Sequence, residues 1–183
     1  MKMIKLKYIL ILSLFLTGCT RMDNNQPTKS VENLKLPDQE LWQSVITITR
    51  DAKKVAEVWA GYIVYYKEDD LVILRDSIHV DFYDSQGKHN SVLTADSGVV
   101  YNETSNLVAR GRVVVVSDSG IVLETEELKW DNEKQKIISE VPVKFTTQTD
   151  TLIGESFISD PDLKNYEIRQ ARGYSKRKIP LKK

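Results

Sequence analysis

Apolar and polar residues alternate along most of the chain from Val58 onward. Val, Ile, Thr and Tyr are frequent there, and short polar turn clusters recur. Alternation between turn clusters is typical of half-buried β-strands. No long stretch has the apolar spacing of an amphipathic helix. The pattern therefore predicts an all-β domain. The turn clusters are Lys67–Asp70, Asp84–Gly87, Asn102–Asn106, Asp131–Lys134 and Asp160–Asp162.

The strands follow a repeat of about 30 residues. In each unit an aliphatic residue is followed by a small residue and then by larger apolar residues. The units are Val58–Tyr65, Leu93–Val100, Leu123–Trp130 and Leu152–Ser159, and their small residues are Ala60, Ala95, Thr125 and Gly154. The step of three from the small to the next large residue breaks the strand period of two. We expect a bulge or bend there that brings both halves of the strand onto one face. A second strand follows each turn, and Gly111 and Pro142 predict bends in those strands.

A strand–turn–strand repeat of this length is typical of stacked β layers. Four layers predict a flattened, elongated roll with two sheet walls, and the alternative is a closed β-sandwich whose repeat is accidental. The apolar side chains expected to point between the walls are Tyr65, Leu93, Val113, Leu128, Trp130, Phe145 and Phe157. They form a packed core or, if the roll splays along one side, they line a groove for acyl chains. Such a groove would bind lipid because burying each CH₂ is worth about 0.8 kcal/mol.

The first 18 residues have the composition of an export signal. Three lysines precede the apolar run Tyr8–Phe15, and Leu16-Thr17-Gly18 leads to the only cysteine, Cys19. The apolar run is shorter than the ~20 residues that a membrane-spanning helix needs. The motif Leu-x-Gly-Cys resembles the lipobox of bacterial lipoproteins, which implies cleavage before Cys19 and a diacylglycerol on its thiol. The alternatives are an ordinary cleaved signal with an incidental cysteine, and a short membrane anchor.

Composition divides the rest of the chain into three parts. We predict a lipidated N-terminus and polar linker over 19–40, the β domain over 41–175 and a basic tail over 176–183. Near the start of the domain, Val45–Thr49 looks like a strand, whereas Arg50–Val58 fits either helical turns or extended chain. Removal of the three signal lysines changes a net charge of zero to about −3. Such a surface does not favour nucleic acid, and no second cysteine is present to form a disulfide.

The sequence contains no catalytic grouping. His79 and His89 are expected to be solvated or turn residues, since neither has further metal ligands at suitable spacing. No nucleophile elbow, phosphate-binding glycine loop or HExxH motif occurs. Asp96, Glu126 and Glu155 each follow the small residue of a repeat, where we expect the carboxylates to accept hydrogen bonds from free backbone amides at a bend. We therefore predict no enzyme activity, no metal and no cofactor.

One repeat carries a family signature. Leu93-Thr94-Ala95-Asp96, followed by Tyr101-Asn102 and by Leu107–Val115 with its Gly-x-Val-x-Val rhythm, resembles the OstA-like β-jellyroll repeat of lipopolysaccharide-transport proteins. One such domain behind a single N-terminal anchor is similar to the LptC family. The resemblance covers roughly Val58 to Gly173. It implies a protein that accepts lipopolysaccharide from an inner-membrane ABC transporter and passes it to an LptA-like periplasmic protein, without covalent chemistry.

The resemblance also implies how the partners bind. Exposed sheet edges would dock by strand addition. The N-terminal edge, around Val45 to Tyr65, would face the transporter, and the C-terminal edge, around Tyr166 to Tyr174, would face the LptA-like protein. The candidate contacts at the C-terminal edge are Tyr166, Ile168 and Tyr174.

The anchor does not by itself decide which membrane holds the protein. The better-known family members carry a transmembrane helix, whereas this chain has Cys19, so the lipid is expected to hold it at the periplasmic face of a Gram-negative membrane. Thr20 in place of Asp favours the outer membrane, but that sorting rule varies among bacteria, and we favour the inner membrane because the transporter lies there. A lipid-anchored structural or adhesion protein without lipid cargo is the competing function. An enzyme acting on envelope glycans is disfavoured because an acid–base pair is missing.

Overall fold

The computed structural model describes residues 36–175. The predicted signal peptide, Cys19, most of the linker 19–40 and the basic tail 176–183 lie outside these residues. The described chain forms a single antiparallel sheet of thirteen strands, which confirms the all-β jellyroll. The strands are β1 (Gln39–Arg50), β2 (Lys53–Tyr66), β3 (Leu71–Tyr83), β4 (His89–Ala95), β5 (Ser97–Tyr101), β6 (Asn106–Ser117), β7 (Val122–Asp131), β8 (Lys136–Ser139), β9 (Val143–Thr146), β10 (Asp150–Gly154), β11 (Ser156–Ser159), β12 (Tyr166–Arg169) and β13 (Arg172–Ser175). Over these residues, no helix has the length and apolarity needed to cross a membrane.

The segment that the sequence left ambiguous is extended. A tight turn at Asp51 and Ala52 joins β1 to β2, and the two strands pair along their length. Both turn residues have positive φ, 49° and 59°, as hairpin turns between twisted strands require. Because β1 begins at Gln39, the sheet starts slightly before the predicted boundary at residue 41.

Bends divide the sheet into two walls. Wall A contains the strand segments 39–42, 62–66, 71–75, 97–101, 106–110, 127–131, 136–139, 156–159 and 166–169. Wall B contains the segments 44–50, 53–60, 78–83, 89–95, 113–117, 122–125, 143–146, 150–154 and 172–175. The longest strands contribute one half to each wall, so the bends join the walls along one side.

The bends lie where the sequence period breaks. In the pairing of β2 with β3, Gly61 stands opposite two residues, Asp76 and Ser77, which have φ of 59° and 68°. Two residues against one is a β-bulge, which bends the strand. A Cβ on Gly61 would lie 2.6 Å from the carbonyl oxygen of Asp76, so the close approach of the backbones requires glycine. The same mismatch recurs between β6 and β7 at Gly111, which confirms the bend predicted there.

The side opposite the bends is formed by turns, which we call the rim. The rim contains residues 51–52, 67–70, 84–88, 102–105, 118–121, 132–135, 147–149 and 160–165. One rim residue, Leu163, has a φ of 60° and is fully buried in the core. Left-handed backbone is costly for a residue with a large side chain. Burial of the leucine side chain offsets that cost and closes the rim at this turn.

Candidate functional site

The seven side chains predicted to point between the walls all belong to the interior. Six of them are at most 2% exposed, and Tyr65 is partly buried against the same core. Tyr65, Leu128, Trp130 and Phe157 lie on wall A, and Leu93, Val113 and Phe145 lie on wall B. The structure therefore brings the predicted set together. Their contact with lipid stays a prediction.

The interior is filled. The ring of Phe82 on wall B lies 4.9 Å from that of Trp130 on wall A, and Phe145 lies 5.3 Å from Phe157 across the same gap. Aromatic pairs at such centroid distances are in direct contact. A cleft of about 620 Å³ lies beside Glu140, and its lining includes the core residue Phe157. Over the described residues the two walls are in contact at these pairs, so an acyl chain could lie between them there only if the walls moved apart.

Two polar atoms in this interior have no hydrogen-bond partner. They are Nε1 of Trp130 and Oγ of Ser159, both in residues that are 1% exposed. Each pairs with Ile137 in the ladder, one from β7 and one from β11. Other buried hydroxyls are satisfied: Oγ of Ser139, for example, lies 3.0 Å from Oγ1 of Thr125 and donates to the carbonyl of Val141. Unpaired buried polar groups are rare in native interiors.

The carboxylate of Asp96, at one of the bends, is held differently from the prediction. Asp96 was expected to accept from free backbone amides, but its carboxylate accepts from the guanidinium of Arg112. Nε lies 3.1 Å from both carboxylate oxygens, and Nη2 lies 2.5 Å from Oδ1. This hydrogen bond lowers the pKa of Asp96 below its ordinary range. The prediction was wrong because the bulge at Gly111 places the following arginine beside the aspartate.

Among residues 36–175, the strands at both ends of the sheet pair on one side only. β1 pairs only with β2, and its side chains Trp42 and Val45 are 65% and 57% exposed. At the other end, β12 ends wall A and β13 ends wall B, each paired with a single neighbour. Since β2 pairs on both sides, the N-terminal edge predicted over Val45 to Tyr65 is formed by β1 alone. Unpaired strand edges are templates for a further strand.

The three candidate contact residues lie on these last two strands. Tyr166 is 41% exposed, and its ring packs 4.3 Å from Phe145, so the side chain spans from the core to the surface. Ile168 is partly buried against the core, and Tyr174 is 62% exposed. Their use by a partner stays a prediction.

Sequence comparison assigns the family. A family model described as lipopolysaccharide-assembly, LptC-related, matches residues 9–168. The chain belongs to the LptC family. A comparison with curated proteins finds no match. LptC-family proteins are transport and bridging proteins associated with the periplasm and inner membrane of Gram-negative bacteria, and their role is lipopolysaccharide transport.

The rim of this LptC-family chain carries ion pairs where β7, β8 and β11 meet it. Lys134 lies 3.2 Å from Asp131, and Lys136 lies 2.5 Å from Asp160. Asp131 is nearly buried, and its Oδ1 accepts from the backbone amide of Lys134 at 3.0 Å. That backbone hydrogen bond lowers the pKa of Asp131 below its usual range, against the effect of burial. Asp131, Lys136 and Asp160 each directly adjoin a residue of the ladder level that holds the two unpaired polar atoms, one position nearer the rim.

The two histidines are not isolated, which the sequence did not show. Oδ1 of Asp81 lies 3.3 Å from Nε2 of His79 and 3.2 Å from Nε2 of His89, and Nδ1 of His89 lies 2.8 Å from Asp118. The contact of His79 with Asp81 lies within β3, two residues apart, whereas those of His89 cross to Asp81 on β3 and to Asp118 after β6, so only the strand register could have revealed the contacts of His89. Over residues 36–175, no group of three or more ligating side chains is placed to hold a metal ion.

Proposed function

We propose that this chain accepts lipopolysaccharide from an inner-membrane ABC transporter and passes it to an LptA-like periplasmic protein. The observation that carries the proposal is the family match over residues 9–168, which spans nearly the whole jellyroll. No bond is made or broken in this role. The chain would provide an apolar interior for the acyl chains and two sheet edges for its neighbours.

The edges support a relay by strand addition. An incoming strand on β12 would extend wall A, and one on β13 would extend wall B. A partner with the same two-walled fold would therefore continue the interior between the walls. The transporter's periplasmic part would add to β1 in the same way. β1 is a long edge with exposed apolar side chains, and such edges are normally protected in proteins without a partner.

The anchor in this proposal is a lipid on Cys19 in the inner membrane. Residues 20–35 between it and the described chain would span at most about 50–60 Å when extended. That length allows the domain to reach a transporter in the same membrane. The lipobox Leu16-Thr17-Gly18-Cys19 is the support for this part of the proposal.

Depletion of the protein tests the proposed role in cells. Lipopolysaccharide should then accumulate at the inner membrane, and a normal distribution after depletion would contradict the proposal. The docking edge is tested with a photo-crosslinker at Tyr166, which should capture an LptA-like protein. Tyr101 is the matched control, because it is also 41% exposed on wall A but lies on β5, which is paired on both sides. Equal capture of the LptA-like protein at both positions, or no capture at Tyr166, would argue against β12 as the docking edge.

The filled interior favours a second candidate function. If the walls never separate, the chain is a lipid-anchored structural or adhesion protein without cargo. A photo-crosslinker at Leu128, which points inward, separates the two candidates from each other. Crosslinks to lipopolysaccharide from Leu128, but not from the neighbouring, outward-facing Lys129, would support transport. Absence of such crosslinks in cells with an active export machine would support the structural role.

A further inference from the structure

The two unpaired polar atoms belong to residues at one level of the strand ladder of wall A, which we call the polar rung. In the ladder, Trp130 pairs with Ile137, and Ile137 pairs with Ser159. Neighbouring strands are about 4.8 Å apart, so the two backbones flank Ile137 at roughly 10 Å from each other. Both side chains face the core, and both belong to strand ends that meet the rim.

Leaving these atoms unpaired is costly to the closed roll. Burying a polar group without a hydrogen bond is unfavourable, and native proteins seldom keep one without a use. Phe would keep one aromatic ring against Phe82 without an unmet N–H, and Ala would replace Ser159 without an unmet hydroxyl. The neighbouring buried serine, Ser139, shows that this fold does satisfy interior hydroxyls elsewhere.

We infer that Nε1 of Trp130 and Oγ of Ser159 are the interior hydrogen-bond donors for the ester or amide carbonyls at the head of bound acyl chains. The inference rests on the proposed transport function. Hydrocarbon alone needs no donor, but an acyl chain joins its headgroup through a carbonyl that loses its water on entering the roll. A donor close to the rim meets that carbonyl while the chain extends toward the bends.

The charges at the rim fit the same orientation. Lys134 lies in the rim turn that follows β7, and its side chain is 68% exposed, whereas Lys136 alternates with the inward-facing Ile137 and projects from the outer face of wall A, where it pairs with Asp160. A phosphorylated or otherwise charged headgroup would therefore stay at the rim beside Lys134, with its carbonyls on the polar rung and its hydrocarbon in the core. The rung would set how deeply the lipid enters.

The test compares three conservative variants of the full-length chain in detergent, titrated with lipopolysaccharide. Ser159→Ala and Trp130→Phe should each weaken binding about three- to tenfold, the value of one hydrogen bond. The thermal midpoint of Ser159→Ala without lipid should stay equal or rise, because an unmet hydroxyl has been removed, whereas Trp130→Phe also leaves a cavity that lowers its midpoint. Ser139→Ala is the control: it makes the same change in an equally buried serine, but it breaks satisfied hydrogen bonds. It should lower the midpoint and leave binding unchanged.

The outcomes separate the alternatives. Unchanged binding by both Ser159→Ala and Trp130→Phe would overturn the inference while the transport role stands. Unchanged binding with a lowered midpoint in Ser159→Ala would also overturn it, and would indicate that a buried water satisfies the hydroxyl in the closed roll. A wild-type chain that binds no lipopolysaccharide would refute the proposed function, and the inference with it. If Trp130→Phe does not fold, Ser159→Ala against Ser139→Ala still decides the question.

Discussion

Replacement of Gly111 by alanine tests whether the bends depend on glycine for two separate reasons. Gly111 has a φ of 76°, and a Cβ there would lie 2.6 Å from Oδ2 and 3.0 Å from Cβ of Asp96. The left-handed backbone costs an L-residue about 1–2 kcal/mol. Crowding against the aspartate adds about 1 kcal/mol, the lower end of what overpacking costs. We therefore expect Gly111→Ala to lower the free energy of unfolding by about 2–3 kcal/mol.

Gly120 is the matched control for the backbone contribution. Its φ of 80° is nearly the same, but a Cβ there would meet no atom within 4 Å. Gly120→Ala should cost only the backbone part, about 1–2 kcal/mol. Urea unfolding of a chain that begins at Leu36, where the compact unit containing the sheet begins, measures both values under the same conditions.

A double-mutant cycle identifies the source of the difference. Removing the carboxylate with Asp96→Ala should rescue part of the Gly111→Ala loss, because the nearest atom to the new Cβ is gone, and the two changes should be non-additive. Equal losses in Gly111→Ala and Gly120→Ala, or strict additivity in the cycle, would refute the contact between residue 111 and Asp96 as a constraint on this bend.

Three further outcomes follow from the packing and the charges. Phe145→Ala should lower the free energy of unfolding in urea by about 3–5 kcal/mol, because it removes a ring packed between the walls. Trp42→Ala, at an exposed position on β1, should lower it by less than about 1 kcal/mol. Similar losses in the two variants would contradict the assignment of core and edge. Because the pKa of Asp131 is lowered in the fold, its contribution is present above the unfolded pKa and is lost as pH falls through the folded pKa. Asp131→Asn should therefore show a smaller fall in urea midpoint between pH 7 and pH 3 (roughly the range in which carboxylates titrate), and an unchanged pH slope would exclude Asp131 as a source of acid sensitivity. Leu163→Ala should open the rim and increase binding of a hydrophobic dye at a temperature where the variant is still folded, and dye binding equal to that of the wild type would show that Leu163 does not close it.

The repeat predicted the fold because it encodes both the strands and their bends. In the unit Leu123–Trp130, alternation places Leu123 and Thr125 inward, and the step of three then places Leu128 inward as well. Periodicity is a local property, so it is visible in one sequence. The extended course of Arg50–Val58 could not be predicted from the sequence, because its turn residues Asp51 and Ala52 adopt positive φ without a glycine.

Contacts between distant strands could not be predicted from the sequence. The pairing of Asp96 with Arg112 depends on the register of the bulge, and the sharing of Asp81 by two histidines depends on the register of a hairpin. Inward-facing residues could be predicted, but whether two walls close on them could not. That depends on the fit of side chains from opposite walls, such as Phe82 and Trp130.

A closed interior is compatible with lipid transport because opening exchanges one apolar contact for another. An acyl chain of about ten CH₂ groups gains roughly 8 kcal/mol on leaving water. Separating an aromatic pair such as Phe145 and Phe157 forfeits only about 0.5–1.5 kcal/mol beyond its buried area, and that area is buried again by the lipid. The polar rung is the exception, since Trp130 and Ser159 would, on the inference above, gain partners when a carbonyl enters. On the proposed function, the acyl chains would cover the apolar area that the separated walls expose, and the closed roll would be the form without cargo.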